Sequence, residues 1–105
     1  MQAVFKYELE QIELENIKKY CDSVEYCSID QYPGWSQLLY KSRICYFYLY
    51  DETGIKSYSL IGESRRSAYI DFGPVCCNKD LMITSLNEII RYYREKRYFY
   101  LGVQM

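Results

Sequence analysis

The 105-residue sequence predicts an α/β domain with a mixed, mostly antiparallel sheet, in the order β-α-α-β-β-β-α-β. Three observations predict it. Short runs rich in aromatic and β-branched residues, such as Ile44 to Tyr50, are bounded by turn residues and are too brief for helices. A longer segment, about Lys79 to Lys96, carries Ile83, Leu86, Ile90 and Tyr93 at spacings of three, four and three, the period of an amphipathic helix. That helix sits between two strand-like runs in a strand, helix, strand unit from Ser67 to Met105; if the two strands are parallel, a right-handed crossover lays the helix on the sheet.

Taken in order, Ala3 to Glu8 alternates loosely, with Phe5, Tyr7 and Leu9 to one side, and reads as the first strand. Leu14, Ile17, Cys21 and Val24 form one helical stripe, with Glu15 and Lys19 paired outside it, so this helix packs one face on the sheet. Asp30-Gln31-Tyr32-Pro33-Gly34-Trp35 punctuates the chain, and Pro33 suits the first position of a short helix with Trp35, Leu38 and Leu39 on one face. Trp35 is either a core anchor or, with Gln31, part of the rim of a binding cleft. Ile44 to Tyr50 is a strand buried on both faces. Asp51-Glu52-Thr53-Gly54 turns it into Ile55 to Ile61, where Ser57 and Ser59 alternate with Tyr58 and Leu60 and predict one exposed face. A link, residues 62 to 67, has the solvated pair Arg65-Arg66 at its tip and leads to the strand Ala68 to Phe72. After Phe72-Gly73-Pro74-Val75 comes the long helix, with Asp80 in its first turn and Arg91, Arg94, Lys96 and Arg97 at its end, as the helix dipole favours. The closing strand is Tyr98 to Gln104. The first four strands are expected to be antiparallel and the last parallel to its predecessor.

Composition excludes more than it assigns. Thirteen basic and fourteen acidic side chains leave a formal charge of −1, no footprint for a phosphate backbone, so tRNA binding through Arg91, Arg94 and Arg97 is disfavoured. There is no histidine, which excludes a histidine-based triad and a histidine-containing zinc site. Fourteen tyrosines point to thick, half-wet sheet faces or an interface. Cys21, Cys27, Cys45, Cys76 and Cys77 form no C-x-x-C pair and follow no signal peptide, so they read as reduced thiols of a cytoplasmic protein. No apolar run is long enough for a membrane-spanning helix.

The order of elements resembles the first part of the GNAT acyltransferase fold, in which the fourth and fifth strands flank the central helix and splay apart to admit a thioester. Members that bind acetyl-CoA cradle its pyrophosphate in a glycine-rich loop at that helix's N-terminus. Here the loop is Val75-Cys76-Cys77-Asn78-Lys79, with no glycine after Gly73, so no cofactor is expected. The branch without that loop is the FemABX group, aminoacyltransferases that move an amino acid from aminoacyl-tRNA to an amine of a lipid-linked cell-wall precursor. The sequence looks like the N-terminal part of such a protein. The resemblance is carried by Gln31 and Trp35 with the helix after them, by Gly73-Pro74-Val75, and by Lys96-Arg97-Tyr98-Phe99-Tyr100-Leu101. It covers nearly the whole chain and implies a substrate site that includes Gln31, Trp35, Gly73 and Pro74, with Lys41 as the basic residue for the nucleotide-linked substrate. The family pattern has arginine where this chain has Phe72, and an acidic residue followed by proline where it has Gln104 and Met105.

Asp71 alternates with Ile70 and Phe72 and faces either that cleft or solvent. No catalytic residue stands out: Cys76 and Cys77 have no visible base and read as loop and core thiols. Transfer to an amine needs positioned polar groups more than a nucleophile, so the missing histidine is no objection. The closing strand has nothing after it to cover its edge, so the chain is expected to be a truncated single domain, 1–105, inactive alone, paired through Tyr98 to Gln104 with a missing C-terminal half or a second copy. The competing reading is a non-catalytic, degenerate module that acts through that strand by self-association or partner binding.

Overall fold

Alternation along the central hairpin decides how the layers stack. The structure, a computed structural model, describes residues 1–28, 30–33 and 43–104. Among these residues one mixed sheet contains β1 (Gln2–Lys6), β2 (Arg43–Asp51), β3 (Gly54–Ser64), β4 (Ser67–Asp71), β5 (Val75–Cys76) and β6 (Tyr100–Gln104), with helices α1 (Gln11–Ser23) and α2 (Lys79–Glu95). The strands pair in the order β1-β2-β3-β4-β6, antiparallel from β1 to β4 and parallel between β4 and β6, as the sequence predicts. β5 is an addition. It pairs with β3 at Ser57↔Cys76 and Tyr58↔Val75, and two residues are too few to leave a periodic signal. The short helix expected after Pro33 lies outside the described residues.

Cys45, Phe47 and Leu49 of β2 share one face with Ile61, Ala68 and Ile70, under Ile89 and Tyr93 of α2. Tyr46, Tyr58 and Leu60 point to the other face and meet Ile17 and Cys21 of α1. The period of two thus sets the helices on opposite faces and buries β2 from both sides. Phe5 and Tyr7 join the α2 side, whereas Leu9, beyond the end of β1, packs on the α1 side. No helix among the described residues is long and apolar enough to cross a membrane.

Expectations for β3, α2 and β6 need correction. First, β3 has no exposed face over 57–63: Ser57 and Ser59 are fully buried beneath α2, with the Ser57 and Ser85 hydroxyls 2.6 Å apart. Serine is small enough to let a helix approach closely, so a polar alternation marked a covered surface. Second, the buried stripe of α2 is Ser85, Ile89 and Tyr93, while Ile83 and Ile90 are exposed at 48% and 40%. Adjacent apolar pairs, Met82-Ile83 and Ile89-Ile90, give two stripes one residue apart, and close packing at Ser85 selects the one that looks more polar. Third, β6 begins at Tyr100, because α2 ends in a left-handed turn at Arg97 (φ 61°), with the Tyr98 N–H donating to the Tyr93 carbonyl at 2.9 Å.

The expected link 62–67 is mostly strand, and only Arg65 and Arg66 form its exposed tip. Glu63 instead points inward at 3% exposure and ties α2 to the sheet. Its carboxylate accepts hydrogen bonds from Tyr7 and Tyr98 on Oε1, both at 2.9 Å, and from Tyr93 on Oε2 at 2.6 Å. Lys96 donates to the Tyr7 hydroxyl and lies 4.8 Å from the Tyr7 ring centre and 5.7 Å from that of Tyr98. Burial opposes the Lys96 charge, but the bond to Tyr7 and the Glu63 carboxylate outweigh it and hold the ammonium above its ordinary range. Burial and the Glu63 bond push the Tyr98 hydroxyl up to about 12, and burial pushes the Cys45 thiol up to about 11.

Two outcomes follow from this cluster. Folded-state values above the ordinary 9.0 and 10.0 mean that the unfolded chain loses these protons first. Their stabilisation is therefore complete below about pH 9 and lost as pH rises to about 12, which urea titrations across that range will read as a falling midpoint. Glu63→Ala strands three hydroxyls and is expected to cost about 2–4 kcal/mol in the same assay.

Candidate functional site

The site grows from a gap in the sheet. β4 pairs with β3 only at Gly62↔Tyr69, Glu63↔Ala68 and Ser64↔Ser67; nearer its start, β3 pairs with β5 instead. Between the two pairings Leu60, which lies opposite Tyr46 of β2 on one side, has no strand on the other, and a buried peptide group without a partner is costly. Gln31 fills the place. Its Oε1 accepts from the Leu60 N–H at 2.6 Å, and its Nε2 donates to the carbonyls of Leu60 at 3.3 Å and Asp71 at 2.7 Å. The side-chain amide acts as a single residue of strand joining β3 to the end of β4. A turn aims it there: the Gln31 N–H donates to the Ser28 carbonyl at 2.9 Å, and the Asp30 N–H to the Ser28 hydroxyl at 3.2 Å.

Gly73 lies directly against this amide. A Cβ at that position would sit 2.7 Å from Gln31 Cδ, closer than any side chain tolerates, so only glycine lets the chain pass. Phe72 before it takes a left-handed φ of 57°, unusual for a bulky residue, with its N–H held by the Gln104 carbonyl at 2.6 Å. The Gly73–Pro74 peptide is cis.

On the outer side of this turn a cavity of about 790 Å³ opens, walled by Phe72, Gly73, Pro74 and Val75, with Cys76, Cys77 and Met82 toward α2 and with Glu25 and Tyr26 opposite. Asn78 caps α2, its side chain accepting from the Leu81 N–H at 2.9 Å. Burial raises the Cys76 thiol above its ordinary range; it donates to the Asn78 carbonyl at 3.6 Å. Glu25 is the one carboxylate in the lining, and no nucleophile–base pair is found among the lining residues. Such a lining offers shape and polarisable sulfur atoms and no paired acid and base.

Of the residues singled out from sequence, Gln31, Asp71, Gly73 and Pro74 come together here. Trp35 and Lys41 lie outside the described residues. Gln31 is completely buried and engaged by backbone, so it positions the turn instead of forming a rim, and Asp71 contributes its carbonyl to Gln31. No protein-family model matches the chain, and no curated protein matches it. The family reading rests on the quoted residues alone. One feature of the resemblance is displaced: β4 and β6 stay paired from Ser67↔Tyr100 through Asp71↔Gln104, and the parting of strands occurs between β3 and β4, where Gln31 closes it. Sequence reasoning missed Glu25, Tyr26 and Met82, which no spacing connects to the turn; it also missed Glu63, which lies in the link 62–67 leading to the solvated pair Arg65-Arg66.

The interlock is testable by a double-mutant cycle. Gln31→Ala is expected to cost about 2–3 kcal/mol through the unpaired Leu60 and Asp71 groups. Gly73→Ala is expected to cost about 1–3 kcal/mol by overpacking, and distinctly less in the Gln31→Ala background, because the atoms it strikes are gone.

Proposed function

We propose that the chain is the substrate-holding half of an acyl- or aminoacyl-transfer system of the FemABX kind. Such a system moves an amino acid from aminoacyl-tRNA to an amine of a cell-wall precursor, in the cytoplasm, and this chain does not turn over alone. The observation that carries the reading is the cavity of about 790 Å³ against the Gly73–Pro74 turn. That turn is the family-like segment, and it follows the C-terminal end of β4, where open α/β sheets bind ligands. Acyl transfer to an amine depends on positioning and on donors to the developing oxyanion. In this reading Gln31 and Gly73 set the turn, Pro74 walls the pocket, and Trp35 and Lys41 contact substrate as the resemblance implies. The reading includes no thioester cofactor, in keeping with a loop before α2, Val75 to Lys79, that has no glycine, and with the pairing of β4 and β6.

The isolated chain is expected to bind the cell-wall precursor in calorimetry, with affinity lowered about tenfold by Cys77→Trp, which narrows the cavity. It is expected to transfer no label from charged tRNA. Turnover by the isolated chain, or binding indifferent to Cys77→Trp, overturns the reading.

A second reading, a non-catalytic module acting through strand pairing, is favoured by β6. Among the described residues β6 pairs only with β4, and 98–104 contains no charge of the kind that blunts natural edges. The Gln104 carbonyl accepts from Phe72, so Tyr100, Gly102 and Gln104 face β4 while Leu101 and Val103 turn their backbone groups outward. Antiparallel pairing with the same strand of a second copy brings no like charges together. Light scattering is expected to find a dimer that Val103→Pro converts to a monomer with unchanged far-UV circular dichroism; a wild-type monomer at every concentration would exclude self-pairing.

A further inference from the structure

A second cavity, of about 550 Å³, runs along α1 between that helix and the turn end of the β2–β3 hairpin. It is separate from the Gly73–Pro74 cavity and independent of the function proposed for it. Its apolar surface comes from the rings of Tyr20, Tyr48 and Tyr50 and from Ile55, with the Tyr48 and Tyr50 ring centres 6.0 Å apart.

The polar groups around it divide into two sets. Those of the first set are engaged within the protein. Tyr20 donates to the Lys56 carbonyl at 2.8 Å and lies 3.2 Å from that of Val75; Tyr50 donates to the Gln2 side chain at 2.6 Å. Glu13 accepts from Lys6 at 2.9 Å, from the Glu10 N–H at 3.0 Å and from the Tyr48 hydroxyl, so its charge is matched. The second set is Lys19 and Asn16, both exposed at the rim, with no hydrogen bond or ion pair among the described residues; the Glu15–Lys19 pair expected from sequence does not form, and Glu15 accepts from the Gln11 side chain at 3.3 Å instead. What the cavity offers a visitor is therefore a set of flat ring faces, one uncompensated ammonium and one amide. A neutral apolar body gains only the rings; an organic cation meets Lys19 with the wrong sign, and the one carboxylate that would attract it is already paired.

We infer that this groove binds a small planar organic anion, an aromatic ring system carrying one carboxylate, with the rings against Tyr20, Tyr48 and Tyr50 and the carboxylate at Lys19.

The probe is 2-naphthoate, titrated into the ¹⁵N-labelled chain and followed by amide shifts. Saturable shifts are expected in 13–23 and 48–55. Lys19→Glu, a change at an exposed position that leaves the fold intact by circular dichroism, is expected to weaken binding about fivefold or more, the scale of one exposed ion pair. Naphthalene-2-carboxamide and 2-naphthylmethylammonium are expected to bind more weakly than 2-naphthoate. Shifts that do not saturate or that centre elsewhere, a cation that binds as well as the anion, or a Lys19→Glu variant that binds as the wild type does, would each overturn the assignment.

Discussion

The amide of Gln31 holds β3 to the end of β4 beyond the point where the two strands stop pairing. Where β3 and β4 separate, the peptide groups of Leu60 and Asp71 face a space one residue wide, and the Gln31 side chain supplies the donor and acceptor a strand would have supplied. Because the amide is planar and fully buried, what lies beside it must be flat as well, which is why Gly73 follows the end of β4. The cavity wall at Gly73 and Pro74 takes its shape from this contact. A hydrogen bond in the interior is worth little net, but leaving its partners unmade is expensive, so one residue from a distant loop controls where the turn can lie.

The same logic recurs on the α2 side. Glu63 is a carboxylate within the sheet that gathers hydroxyls from the residue after β1, from α2 and from the segment after α2. Removing a charge from water is tolerable only when its lone pairs are used, and three tyrosines use them, with Lys96 one bond further out. Several of the fourteen tyrosines are thus accounted for by a polar network, with ring and hydroxyl each placed. The network also fixes the axial position of α2, since Tyr93 and Tyr98 lie on either side of the helix end.

The part of the fold legible in the sequence was the part carried by period and handedness. Ile44 to Tyr50, the hairpin after it, and the strand, helix, strand unit announce themselves by local pattern, and a helix between two strands is the connection that the parallel pairing of β4 with β6 requires. What stayed hidden depended on partners far along the chain. Ser57 and Ser59 are letters of an exposed strand until α2 is known to cover them; Ile83 and Ile90 spell as good a helical stripe as Ser85, Ile89 and Tyr93 until the close approach at Ser57 is known. Gln31 stood out in the sequence as a residue beside a turn, but its role as a substitute strand is a contact across 29 residues that no spacing encodes.

Closing the gap between β3 and β4 with a side chain has a consequence for access. β4 and β6, the strands that flank the crossover helix, are paired from Ser67↔Tyr100 through Asp71↔Gln104 and leave no opening between them over those residues. The way to the Gly73–Pro74 turn is then from the α1 side, past the stretch that follows α1. That stretch carries Glu25 and Tyr26 on the cavity wall and, a few residues on, Gln31 in the sheet. A displacement large enough to widen the cavity at Glu25 and Tyr26 would pull on Ser28 and through it on Gln31, whose withdrawal leaves the Leu60 and Asp71 backbone unpaired. Pocket shape and sheet integrity are therefore coupled, and in the proposed holding role the cavity is set before a substrate arrives.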